Sequence, residues 1–241
     1  MKGFIKFTLI ILVFIVVTPI LVLGYLGFIP KLSSIMGSDK PRDLGVKYTE
    51  SDFTSVYQKN GVELSEMAGS STTAENSIQY SGSKTVSVNV SSEEITALSN
   101  APTWKYYPVS NVQIKINSDG TGEASGILIL DRLTGYLGAI GISPDVAQAA
   151  ADYLKIKGST PFYFKGMVSV TDNKISLDTQ KIEIGRMPIP DNLVKKNQHY
   201  LVELAEIRIK SVPGLFVKSF NLDNGKVNFN GTLPEKISWS K

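Results

Sequence analysis

Residues 88–98 read VNVSSEEITAL, and this stretch joins an alternating strand pattern to the start of a helix. Val88 and Val90 alternate with polar residues, which is the spacing of a β-strand. Ser91 is followed three positions later by Glu94, as in a capping box. There the hydroxyl accepts a hydrogen bond from an amide of the first turn, and the carboxylate accepts one from the cap's own amide. The stretch therefore predicts a strand that runs directly into a helix.

A second copy of the same pattern lies at residues 46–56, VKYTESDFTSV. Thr49 and Asp52 take the places of the serine cap and its acid, so we expect an internal strand–cap–helix repeat. The adjacent acids Glu93 and Glu94 also raise the alternative of a catalytic or metal-binding pair. The second copy has serine where the first has Glu93, so the pair is not required and the capping interpretation is favoured.

Strand and turn signals dominate the chain after residue 77. Apolar alternation predicts one strand over 78–90 with a bulge at Gly82. Hairpins are expected to turn at 117–120, at 172–173 and at 223–225, where Asn, Asp and Gly cluster between apolar runs.

The strand that follows the second of these turns changes parity along its length. Ile175 and Leu177 lie on one parity, whereas Ile182 and Ile184 lie on the other. A strand that keeps its apolar face toward the core across such a change needs one extra residue. We therefore predict a bulge near Gln180.

Helices are predicted over 132–140, 144–156 and 191–205, from their apolar spacing and their start and stop residues. Ile207 and Ile209 alternate again and predict a strand. The apolar stripe of the last helix consists of Leu193, Tyr200, Leu201 and Leu204. Together these patterns predict an α+β fold in which a curved antiparallel sheet wraps around helices.

The N-terminal residues form a long run without charge, FTLIILVFIVVTPILVLGYLGFI at 7–29. A helix needs about 20 apolar residues to cross a bilayer, so we predict a retained transmembrane anchor over 1–30. A tether over 31–44 and an extracytoplasmic α+β domain over 45–241 are expected to follow. The short head before the run favours a single-pass protein of the cell membrane with a cytoplasmic N-terminus.

The composition excludes several classes of site. Cysteine is absent, so a disulfide framework and a zinc–thiolate site are excluded. The net charge is only +3 and no basic cluster stands out, which argues against nucleic-acid binding. His199 is the single histidine, and Glu203 and Glu206 have no third ligand at suitable spacing. We therefore predict no enzyme, no cofactor and no metal.

One further pattern is the order and spacing of three groups of residues: those at 91–98, then Ile184, Gly185, Pro188 and Pro190, and then Asp223, Gly225, Val227, Gly231 and Pro234. Over residues 84–237 this order resembles that of small membrane-anchored bacterial relatives of the tubular lipid-binding (SMP/BPI-like) superfamily. The resemblance implies a highly curved antiparallel sheet rolled around a helix, an apolar groove for acyl chains, and no enzymatic activity.

We expect this groove, between the sheet and the helices, to hold acyl chains of membrane lipid. The side chains expected to line it are Phe53, Ile95, Leu98, Leu133, Leu137, Leu154, Phe162, Phe164, Leu201 and Leu204. The alternative is a structural or adhesive envelope protein. Residues 7–10 resemble the start of type IV pilins, but pilins carry an acid shortly afterwards, where this chain has Ile11, and Pro30 interrupts the helix. The sequence does not identify a protein partner.

Overall fold

The computed structural model describes residues 17–27, 29–67, 73–143, 145 and 158–240. Almost all of the predicted helix over 144–156 lies outside these residues, as does Leu154. Across the described part of the chain, no helix has both the length and the apolar character needed to cross a bilayer.

Six helices and eleven strands are described. The helices are α1 (residues 17–25), α2 (Pro30–Ile35), α3 (Glu50–Asn60), α4 (Ser92–Asn100), α5 (Leu133–Ala139, after a 3-10 turn at Leu130–Arg132) and α6 (Asp191–Lys210). The strands are β1 (Glu63–Glu66), β2 (Ile78–Ser81), β3 (Lys84–Ser91), β4 (Val109–Ile116), β5 (Gly122–Ile129), β6 (Ser159–Thr171), β7 (Lys174–Ile184), β8 (Met187–Pro188), β9 (Phe216–Asp223), β10 (Lys226–Leu233) and β11 (Lys236–Trp239).

The larger sheet contains eight antiparallel strands and is organised around the long strand β6. One edge of β6 pairs with β5 along its first half and with β9 near its end, while the other edge pairs with β7. The order is β3-β10-β9-β6-β5-β4, with β7 and β8 beyond β6. Because β5 and β9 share one edge of β6, the sheet curls into a half-barrel. The α+β class and the curved antiparallel sheet are confirmed.

A smaller sheet has the order β1-β11-β2 and shows that one strand prediction is wrong. The strand expected over 78–90 is two strands, β2 and β3, in different sheets. Gly82 separates them with φ +68°, a left-handed conformation that side chains disfavour. The glycine therefore redirects the chain from one sheet to the other, rather than forming a bulge within one strand.

The three predicted hairpins are confirmed, and so is the bulge. Lys165 pairs with Lys181 and Gly166 pairs with Thr179, so Gln180 is the extra residue of β7. The extra residue places Ile182 and Ile184 on the same face of the sheet as Ile175 and Leu177, although the two pairs differ in sequence parity.

Both predicted capping boxes are present. The Glu94 amide donates to Ser91 Oγ at 3.2 Å, and the Ser91 amide donates to Glu94 Oε2 at 2.9 Å. In the second copy the Thr49 amide donates to Asp52 Oδ2 at 2.8 Å and completes the same box. The strand predicted before Thr49 is wrong: residues 46–48 belong to neither sheet. Three alternating residues define an extended segment, but a strand also needs a partner.

Ser91→Ala is expected to lower the free energy of unfolding by about 1 kcal/mol, because the first turn of α4 loses its cap. Chemical denaturation measures the change. Ser118→Ala is the matched control, since Ser118 is exposed in the β4–β5 turn and its substitution should leave the midpoint unchanged. An unchanged midpoint in Ser91→Ala would show that the capping box contributes nothing to stability.

Helix α4 covers the edge of β4 with a ladder of side-chain hydrogen bonds. Ser92, Thr96 and Asn100 recur every four residues on one face of α4, and they bond the outward backbone groups of alternate residues in 112–116. Thr96 Oγ1 accepts from the Ile114 amide at 2.9 Å and donates to its carbonyl at 3.2 Å. Four helical residues rise about 6 Å and two strand residues about 6.6 Å, so the two repeats match. The edge strand is thereby satisfied without another strand.

The apolar core lies between the two capped helices and the sheet. Its buried members are Val56 of α3, Val90, Ile116 and Val227, and Leu98 is among the half-buried residues packed against them. The strand–cap–helix stretch at 88–98 therefore supplies both the edge cover and part of the core.

Helix α6 is longer than predicted and contains Ile207 and Ile209, so the strand prediction there is wrong. The residues that flank these isoleucines, Glu206, Arg208 and Lys210, are good helix formers. The helix-breaking pair Pro213-Gly214 comes only after them. Two alternating apolar residues do not outweigh that local preference.

Candidate functional site

A partly open cavity of about 270 Å³ lies between the smaller sheet and the helices. Its aliphatic lining consists of Leu64, Ile78, Leu98, Pro102 and Ile237. The smaller sheet supplies one wall, and the end of α4 with the segment after it supplies another. The volume is near the lower end of the range for small-molecule pockets, about 300–1,000 Å³.

Aromatic side chains supply the rest of the wall, and we call the whole cavity the aromatic pocket. These side chains are Tyr80, Trp104, Tyr107, Tyr136 and Trp239. Trp104 and Tyr136 lie with ring centroids 6.0 Å apart. Trp104 Nε1 donates to Ser77 Oγ and Trp239 Nε1 donates to Thr103 Oγ1, each at 3.0 Å. Both indole N–H groups are therefore satisfied by protein groups, and the rings are free to offer apolar surface.

Three polar groups reach the aromatic pocket. The Arg208 guanidinium lies 5.7 Å from the centre of the Tyr80 ring. Tyr107 Oη donates to the Ser99 carbonyl at 2.9 Å, and burial raises the pKa of Tyr107 to about 12. Tyr80 Oη is buried and makes no hydrogen bond of ordinary geometry with a described residue. Burial raises the pKa of this phenol, against the opposing effect of the nearby Arg208 guanidinium. The pocket thus combines an apolar wall, neutral phenols and one cation.

The apolar stripe of α6 runs toward the same pocket. Leu193, Leu201, Leu204 and Arg208 recur at spacings of three, four and eight residues, so they share one face of the helix. The three leucines are exposed, and Arg208 lines the aromatic pocket. At 1.5 Å per residue, the face from Leu193 to Arg208 extends over about 22 Å. It forms an apolar strip that ends at the pocket.

Among the sequence-predicted groove residues that the structure describes, only Leu98 lines the aromatic pocket. Leu133 and Leu137 pack with Tyr136, which does line it. The structure therefore brings the end of α4 and the first turns of α5 to one cavity.

The other predicted groove residues lie elsewhere. Phe53 stacks on Tyr57 within α3, with centroids 6.2 Å apart, and Ile95 packs on the apolar core. Phe162 and Phe164 are half-buried on β6, and Leu201 and Leu204 are exposed on α6.

Sequence reasoning missed the aromatic residues and Arg208. The signal was present in TWKYYP at 103–108, where three aromatic residues crowd a segment between prolines. Such a segment has neither strand nor helix spacing, so periodicity assigns it to no face. Tyr80 and Trp239 lie on short strands of the smaller sheet, and their convergence depends on the split between β2 and β3.

The residues considered for chemistry stay apart. His199 is exposed on α6 beside Tyr200, and Glu206 pairs with Lys174 at 3.6 Å. The described part of the chain brings no three His, Asp or Glu side chains together in an arrangement that would hold a metal ion.

Comparison with known proteins identifies no relative: no family model, no curated protein and no solved structure matches the chain.

Proposed function

We propose that this chain is a membrane-anchored, extracytoplasmic lipid-binding module without catalytic activity, of the tubular lipid-binding type. The observation that carries the proposal is the aromatic pocket. It offers apolar surface to a hydrocarbon chain, and it offers Arg208 and the unpaired hydroxyl of Tyr80 to a polar end. An amphiphile satisfies both kinds of surface at once.

The size of the pocket and the length of the α6 strip support a chain-like ligand. A cavity of about 270 Å³ takes part of a long acyl chain rather than a whole phospholipid. The exposed leucines of α6 offer apolar surface to the remainder. Each methylene removed from water contributes about 0.8 kcal/mol, so binding of this kind requires no catalytic residue.

The proposed anchor is the apolar run at 7–29, and the described part of α1 supports it. Its consecutive residues Ile20, Leu21, Val22 and Leu23 are each 43–48 % exposed. Four consecutive helical residues point in every direction around the axis, so the helix offers apolar surface all round. That pattern suits a helix surrounded by lipid.

Photolabelling tests the lipid proposal on the full chain. We expect a long-chain fatty acid with a diazirine near its end to label peptides containing 102–107 or 236–239, in chain reconstituted in phosphatidylglycerol vesicles. Leu98→Trp fills the pocket and should remove this label. The matched control Met167→Trp adds the same indole at an exposed site on β6 and should keep it. Labelling of the pocket peptides that persists in Leu98→Trp would refute the proposal.

The alternative is a scaffold that uses the stripe of α6 to hold another protein. The exposed side chains Leu193, Tyr200, Leu201 and Leu204 favour it. In that case the pocket peptides stay unlabelled, whereas Leu201→Ser with Leu204→Ser changes the assembly size measured by light scattering.

A further inference from the structure

One face of the larger sheet is polar across four strands. Directly paired residues of antiparallel strands share a face, so the register places two polar rows side by side. One row is Lys115, Glu123, Lys165 and Lys181, and the next contains Tyr163 and Glu183. These side chains lie on the face of the sheet opposite to the one that carries Ile114, which packs on the apolar core.

The segment after α2 lies on this polar face and is held there by Arg42. Arg42 donates from Nη2 and Nε to the two carboxylate oxygens of Glu183, at 2.7 and 2.8 Å, and its guanidinium lies 4.7 Å from the centre of the Tyr163 ring. Lys181 also pairs with Glu183 at 3.0 Å. Burial raises the pKa of Glu183, but the hydrogen bonds from Arg42 and Lys181 outweigh it and hold the pKa below its ordinary value. The carboxylate is therefore ionised and fixes Arg42 in place.

A second cavity of about 320 Å³ opens above this pair, and we call it the cationic pocket. Its polar lining consists of Arg42, Asp43, Lys115, Glu123, Tyr163 and Arg186. Arg42 uses two of its five N–H donors on Glu183. Lys115 makes no hydrogen bond or ion pair with any described residue, and the Arg186 guanidinium donates once, to the Lys40 carbonyl at 3.3 Å. Most of the donors of these three cations remain available.

The acids of the cationic pocket are already occupied. Glu123 accepts from Tyr163 Oη at 2.7 Å and from Asn117 Nδ2 at 3.0 Å, and Asp43 accepts from the Gly45 amide at 2.8 Å. Lys165 and Lys181 continue the row of Lys115 and Glu123, so the cations outnumber the acids, Glu183 included. The pocket therefore suits an anion with several acceptor oxygens.

The cationic pocket lies beside the end of the N-terminal helix. The Arg186 amide donates to the Leu26 carbonyl at 3.4 Å, while the Arg186 side chain lines the pocket. The buried hydroxyls of Ser33 and Ser38 donate to the Gly24 carbonyl at 2.7 and 2.9 Å, which ties α2 back onto the end of α1. Ile35, on α2, is 83 % exposed. Apolar and cationic surfaces thus meet where the helix joins the domain.

We propose that the cationic pocket binds the phosphate group of an anionic membrane lipid. The inference rests on the membrane anchor of the proposed function, because that anchor places the end of α1 at the level of the lipid headgroups. Lys115 and Arg186 supply the free charge-assisted donors, and Arg42, held by Glu183, supplies the third. The pocket is separate from the aromatic pocket in both lining and chemistry.

Thermal unfolding of the full chain in a nonionic detergent tests the site. Dioctanoyl phosphatidylglycerol at about ten times its dissociation constant should raise Tm by about 3–6 °C. The double variant Lys115→Ala, Arg186→Ala should lose this rise. The matched control Lys195→Ala, Lys196→Ala removes the same charge from exposed positions of α6 and should keep it.

Two further additives identify the source of the phosphate. Dioctanoyl phosphatidylcholine should raise Tm less than phosphatidylglycerol, because its choline cation is repelled by the pocket. Inorganic phosphate should give a small rise that Lys115→Ala, Arg186→Ala also removes. A response to inorganic phosphate alone, equal responses to both lipids, or an equal loss in the control variant would overturn the proposal. Leu98→Trp should leave the Tm response intact and remove only the photolabel, so failure of this site and failure of the acyl-chain proposal are distinguishable.

Discussion

Replacing Thr96 by valine is expected to lower the free energy of unfolding by about 3 kcal/mol, although the two side chains have nearly the same shape. Thr96 is fully buried, and its hydroxyl bonds both the amide and the carbonyl of Ile114. Valine leaves both backbone groups of an edge strand buried without a partner. Each such group costs about 1–3 kcal/mol. The higher strand propensity of valine does not stabilise a position inside a helix.

Urea denaturation followed by tryptophan fluorescence measures the effect. Thr85→Val is the matched control, because Thr85 is exposed on β3 and its side chain bonds no described residue. The control should shift the free energy of unfolding by less than about 0.5 kcal/mol. If Thr96→Val proved as mild as Thr85→Val, water would have to satisfy Ile114, and α4 would not close the edge of the sheet.

The sequence predicts the elements whose signals are local. The capping boxes at 49–52 and 91–94 depend on four residues each, and the hairpin turns depend on their Asn, Asp and Gly residues. The bulge at Gln180 follows from parity alone, since a buried face has to be continuous. In each case the residues that carry the signal also make the contacts.

The elements that depend on distant partners are not predicted. The extended residues at 46–48 lack a neighbouring strand, and whether β2 continues into β3 depends on which strand lies beside each of them. The hydrogen bonds between α4 and the edge of β4 are not predicted from the sequence for the same reason. Ser92, Thr96 and Asn100 look like solvent-facing polar residues until β4 is placed against them.

The sequence predicts only part of the candidate site, because the rest of it also depends on partners that are distant in the chain. Leu98 belongs to an amphipathic helix, so its inward direction can be inferred from periodicity. Trp104 and Tyr107 lie in an irregular segment, and Trp239 lies on a four-residue strand. Arg208 lies between Ile207 and Ile209, whose alternation predicts a strand, whereas all three residues belong to helix α6. The pocket is therefore a product of tertiary arrangement more than of any local pattern.

Gly231→Ala is expected to be as damaging as Thr96→Val, with a cost of about 3 kcal/mol at the upper end of overpacking. Gly231 lies in β10 beside a register shift against β9. A Cβ at this position would clash with the Phe216 carbonyl oxygen and would lie 3.1 Å from the Phe229 ring. The nearest atom belongs to the paired backbone, so relief requires β9 and β10 to move apart.

Gly138→Ala in α5 separates this steric effect from the general consequences of losing a glycine. A Cβ at Gly138 would meet its nearest atoms at 3.5 and 3.6 Å, which is ordinary contact, and alanine is the better helix former by up to about 1 kcal/mol. Thermal unfolding should therefore show a much lower Tm for Gly231→Ala and an unchanged or slightly higher Tm for Gly138→Ala. Equal stability of the two variants would mean that β9 and β10 separate at little cost. The curl of the half-barrel would then not depend on their close approach at Gly231.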